Sequence, residues 1–92
     1  MRKFNSNDEF FHFVHDLINQ ARTHGDNKTQ QLLQDALARG GFQPSEIFGE
    51  LRIAFVEIQR NAKEDYIIPL KEDIKAAISA IDEAFKRANR SL

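Results

Sequence analysis

The feature that most constrains this chain is the stretch Gln43 to Ala62, QPSEIFGELRIAFVEIQRNA. It has helical periodicity, but its apolar residues do not stay on one side. At about 100° per residue, Ile47, Phe48, Leu51, Ala54, Phe55, Ile58 and Ala62 fall in a band roughly 120° wide, the stripe by which a surface helix meets a core. Gly49, Ile53 and Val56 fall on the opposite side at i, i+4, i+7, where such a helix normally carries charge. A helix of this kind needs neighbours on two sides. The second neighbour is either another element of the same chain or a partner.

The punctuation around this stretch sets the other elements. Ser6 followed by Glu9 matches the capping box, in which the two side chains satisfy backbone N–H groups left unpaired by the first turn. Phe10, Val14, Leu17, Ile18 and Ala21 then recur at helical spacing, with Phe11 and Phe13 widening the stripe, until Gly25 supplies a left-handed stop. Asp26 or Asn27 caps a shorter helix with Leu32, Leu33, Ala36 and Leu37 on its apolar face, ending at Gly40-Gly41. If Gly41 is the left-handed residue of a Schellman motif, Phe42 packs back on Leu37. Pro44 suits the first turn of the central helix, where its missing N–H costs nothing. Residues 62–68 form a connection, with Tyr66-Ile67-Ile68 as a short apolar patch. Pro69 opens a last helix with Leu70, Ile74, Ala77, Ile78, Ile81, Ala84, Phe85 and Ala88 on one side. The spacing predicts helices over 7–24, 28–39, 44–61 and 69–89, and short connections predict a single-domain, all-α, antiparallel four-helix bundle over 1–92.

Ninety-two residues suffice for one domain with a thin core, and eight Phe rings supply much of its area. A net charge of −1 provides no general attraction for polyanions, so nucleic acid is not an expected partner. The chain has no cysteine, which excludes disulfides and thiolate metal sites and, in a domain this small, suits a reducing compartment. Asp8 and Glu9 interrupt the basic start before any apolar run, unlike a secretion signal, and no run approaches the ~20 apolar residues of a membrane span. The expected location is the cytoplasm.

Three constellations bear on chemistry. Asp8, His12 and His15 share the outer face of the first helix and are the candidates for a helix-borne metal site, although zinc needs three or four ligands with oriented support. The expectation is therefore no metal and no cofactor. Ser6, Ser45 and Ser79 occupy cap or exterior positions, no pair of carboxylates has environments that would separate acid from base, and no phosphate-binding glycine loop is present. No small-molecule substrate is evident, and an enzyme is not expected. Residues 32–56, helix, glycine turn, helix, resemble a DNA-binding helix-turn-helix; that alternative places Glu46 and Glu50 against phosphates.

The segments EFFHFVHDLINQA and DYIIPLKED are similar to fragments of the nuclease-colicin immunity proteins, small four-helix proteins that bind a toxin through a Tyr-containing turn ahead of a Pro. That resemblance implies a binding role for Asp65 and Tyr66. The chain departs from the family pattern in its third helix, which is very short there and spans Pro44 to Asn61 here. The functional expectation is a non-enzymatic interaction module of immunity, antitoxin or adaptor type that binds another protein or itself, with homodimerisation among its modes. The expected contact residues are Gly49, Arg52, Ile53, Val56 and Arg60 on the central helix, and Asp65, Tyr66 and Ile67 in the last connection.

Overall fold

The computed structural model describes residues 2–90, with side chains through residue 88. Four α-helices, α1 (Asn7–Thr23), α2 (Asn27–Gly40), α3 (Pro44–Asn61) and α4 (Lys71–Arg90), follow one another, with a 3-10 turn at Ile68–Leu70 before the last. The all-α four-helix bundle expected from the periodicity is therefore present. One boundary shifts: Pro69 sits inside the 3-10 turn and α4 starts at Lys71, because Ile67 and Ile68 donate their N–H groups to Glu64 O and tighten the approach.

Side-chain contacts give the directions. Lys28 at the start of α2 reaches Glu57 near the end of α3 (4.0 Å), while Gly40 at the end of α2 lies against Ile47 near the start of α3. Arg52 pairs with Asp82, and Lys71 donates to Gln59 O, so α3 and α4 also run antiparallel. Phe10 meets Phe48 and Phe13 meets Phe55, which sets α1 parallel to α3. The core between them contains Phe10, Phe13, Val14, Leu17, Leu33, Leu51, Phe55, Ile58, Ile67, Ile74 and Ile81, all buried.

Local chemistry accounts for the boundaries. Ser6 Oγ accepts from Glu9 N (3.1 Å), as the capping box requires, but the Glu9 carboxylate accepts from Asn5 N–H rather than from Ser6 (2.6 Å). Asp26 caps α2 by accepting from Thr29 N (3.1 Å). Gly25 and Gly41 both have positive φ, the conformation glycine tolerates. At Gly41, however, ψ is −128°, which is not the Schellman geometry. The chain turns outward, and Phe42 is fully exposed instead of packing on Leu37. Sharp reversal here depends on Gly40: a Cβ on it would lie 2.4–2.8 Å from the Cγ1, Cα and N of Ile47.

α1 packs on α2, α2 on α3 and α3 on α4. Between α1 and α4 runs the segment 2–5. Phe4 packs edge-on to Phe10 and tilted against Phe13 (ring centroids 5.4 and 5.5 Å), and the Arg2 guanidinium lies over Phe4 and Phe13 while meeting Asp73 of α4 at 3.6 Å. The same segment lines clefts with Ala76, Ala80 and Ala84 of α4. Ala76 lies off the periodic stripe of α4 yet is buried. Ala88, expected on that stripe, is exposed.

Candidate functional site

α3 is held on three sides. Leu51, Ala54, Phe55 and Ile58 enter the core; α2 closes one flank through Gly40 against Ile47; α4 closes the other through Arg52 and Gln59. The fourth side faces solvent. Along it lie Glu46, Gly49, Ile53 and Arg60, with Glu50 and Glu57 toward α2 and Val56 toward α4. Ile53 is 67% exposed at the middle of the helix, an unusual place for a β-branched residue. A Cβ on Gly49 would have no neighbour within 4 Å, so its lack of a side chain serves no contact inside the monomer. Val56 is half-buried, at the shoulder where this face meets α4.

The flanking arginines differ. Arg52 donates from Nε and Nη2 to the two carboxylate oxygens of Asp82 at 2.7 and 3.3 Å, a bidentate tie between helices. The hydrogen bond from Arg52 holds the Asp82 carboxyl below its usual range, against the opposing effect of burial. Arg52 is thus committed to α4. Arg60 is exposed and has no ion-pair partner among the described residues, and the same holds for Glu46.

The second predicted cluster resolves differently. Ile67 is completely buried in the core, which corrects its assignment to a contact surface. The apolar connection folds inward because Ile67 joins the core cluster that includes Ile58 and Ile74. Tyr66 is half-buried and tied down: its hydroxyl donates to Asp26 Oδ2 at 2.5 Å, and its ring stacks on His24 with centroids 4.4 Å apart and planes 8° from parallel. His24 Nδ1 in turn donates to Gln20 O at 2.8 Å, the role a carbonyl partner requires. Burial and the bond to Asp26 push the Tyr66 hydroxyl well above the ordinary range of a phenol. At Asp26, burial favours the neutral acid, but the hydrogen bonds from Tyr66 and Thr29 outweigh it and lower the pKa. These groups clasp the α3–α4 connection to the α1–α2 turn. Asp65 stays exposed beside the clasp.

On the outer face of α1, His12 meets Asp16 at 3.4 Å, while Asp8 and His15 are exposed. No three His, Cys, Asp or Glu side chains among the described residues are grouped so as to hold a metal ion. Among the described residues no helix is long and apolar enough to cross a membrane.

Helical periodicity gives no sign of the segment 2–5. Two signals were present: Phe4 stands two residues before the cap, close to the position of a hydrophobic staple, and Ala76, Ala80 and Ala84 leave a low strip on α4 where a backbone can lie. No family model, no curated protein and no solved structure matches this chain.

Proposed function

We propose that this chain is a non-enzymatic, cytoplasmic binding module that engages another protein or itself through the outer face of α3. The observation that carries the proposal is Ile53, 67% exposed at mid-helix on a face otherwise closed to nothing. Gly49 one turn before it leaves room for another backbone, and Val56 extends the apolar strip. Covering a β-branched side chain contributes about 1.5 to 3 kcal/mol when burial is complete, a large increment for a domain with so thin a core. Binding rather than chemistry also agrees with the polar groups: the two with the most constrained environments, Asp26 and Tyr66, satisfy each other. Nothing in the α2–α3 turn adds support for DNA, since Glu46 lies exposed at the start of the would-be reading helix.

The test uses wild type and Ile53→Glu as baits in the native host, with circular dichroism as the control for folding. Ile53→Glu is expected to keep its helical signal and stay within about 0.5 kcal/mol of wild-type stability, because the site is exposed, yet to lose the specific partner. Equal recovery of that partner by both baits would exclude this face.

A further inference from the structure

We infer that the occupant of the α3 face is a second copy of this chain, packed antiparallel about Ile53 with Glu46 of each copy on Arg60 of the other. The inference rests on the preceding proposal for where binding occurs and adds who binds. α3 runs from Pro44 to Asn61, so Ile53 lies at its midpoint, and two such helices crossing there overlap along nearly their whole length. Glu46 and Arg60 lie seven residues either side of Ile53. Positions spaced by seven drift only about 20° around a helix per step, so all three lie close to one line on the open face.

Twofold symmetry makes such a surface meet itself: a residue a given distance before the midpoint faces the residue the same distance after it. Parallel packing would set Glu46 on Glu46 and Arg60 on Arg60. Antiparallel packing sets Glu46 on Arg60 twice, and both side chains are exposed and unpaired within the monomer among the described residues. On the edge toward α4, Val56 of one copy comes level with the turn that holds Gly49 of the other, where the missing side chain leaves a notch. On the edge toward α2, Glu50 of one copy comes level with the turn that holds Glu57 of the other. Two glutamates would meet at that rim, but Lys28 stands beside Glu57 at 4.0 Å, so the rim of each copy offers Glu50 an ammonium as well. Phe42, fully exposed just before α3, arrives at the far end of the second copy's α3, which gives an otherwise unexplained aromatic a surface to cover. Apolar centre, notch and charges are thus self-complementary in one register.

Sedimentation equilibrium of the full chain across micromolar to about 1 mM concentration tests this with four variants, each checked for helical signal. Wild type is expected to dimerise within that range, and Ile53→Glu to abolish the dimer by setting two carboxylates on the symmetry axis. Glu46→Arg and Arg60→Glu each turn two attractive pairs into two repulsive ones and are expected to weaken the dimer about tenfold, in line with the modest worth of exposed ion pairs. The double variant Glu46→Arg/Arg60→Glu restores opposite charges and is expected to return to within about threefold of wild type. A wild type that stays monomeric at about 1 mM overturns the second copy as occupant; if the Ile53-dependent partner is still captured in the host, the wider proposal stands with a different protein on the face. A dimer that is indifferent to Ile53→Glu, or a double variant no better than the single reversals, overturns the register.

Discussion

The inner and outer faces of α3 are made from similar residues and have opposite surroundings. Inside, Leu51, Ala54, Phe55 and Ile58 are buried against three other helices. Outside, Gly49, Ile53 and Val56 have the same apolar character, but Ile53 is mostly in water and Val56 is covered only in part, at the shoulder of α4. The ends of the helix repeat the contrast. Beyond its C-terminus the chain folds Ile67 into the core and ties Tyr66 to Asp26, whereas before its N-terminus Phe42 stands fully clear of the protein. An apolar residue in this chain therefore has no fixed meaning of its own. Its role depends on whether another element passes by.

The contrast breaks most readily at Leu51. Leu51→Ala is expected to cost about 2 to 5 kcal/mol, because it opens a cavity at a fully buried site, against the near-neutral change expected at Ile53; chemical denaturation of the two variants gives the comparison directly. A loss at Leu51 as small as that at Ile53 would show that the inner face is not packed as described.

The two glycines that flank α3 sharpen it further. Gly40→Ala would push a methyl group into the backbone of Ile47 and is expected to cost about 1 to 3 kcal/mol through overpacking. Gly49→Ala meets nothing and is expected to gain up to about 1 kcal/mol from helix propensity. Thermal melts of both variants should move in opposite directions.

The smallest effect concerns the ends. Tyr66→Phe removes a hydrogen bond to a carboxylate and is expected to cost about 1 to 2 kcal/mol near neutral pH, while Phe42→Ser changes stability by less than about 0.5 kcal/mol. The pH dependence follows from the directions of the shifts. Asp26 has a lowered pKa in the folded state, so its contribution is present above the unfolded value near ~4 and is lost as pH falls through the folded one. Tyr66 has a raised pKa, so its contribution is present below the unfolded value near ~10 and is lost as pH rises past it. The urea midpoint of wild type should fall toward both extremes of pH, and Tyr66→Phe should flatten the alkaline limb.

Much of this fold was legible in the order of residues because helices announce themselves locally. Ser6, Asp26, Gly25, Gly41 and Pro44 mark boundaries by the conformations and bonds they favour, and the buried stripe of each helix follows from a period of about 3.6 residues. What could not be read were contacts between residues far apart. Nothing near Tyr66 in sequence indicates Asp26, forty residues earlier, as its partner. Ala76 is buried where the segment 2–5 lies alongside α4, and Phe42 loses its expected neighbour through a single ψ angle at Gly41. For the candidate face, periodicity placed Gly49, Ile53 and Val56 on the side opposite the core, but only the arrangement of α2 and α4 shows that this side stays open.

The segment 2–5 has a consequence for how the bundle assembles. α1 rests on α2, α2 on α3 and α3 on α4, so much of the structure can form between elements adjacent in sequence, the circumstance that favours rapid folding. The contact of Arg2 with Asp73 and the seating of Phe4 near Ala76 and Ala80 join opposite ends of the sequence and can form only after α4 has docked. Until then the alanine strip of α4 lacks the cover of Phe4. The segment is thus anchored on α1 by Phe4 and latched to α4 by Arg2, and the latch to α4 is expected to open before the core it covers.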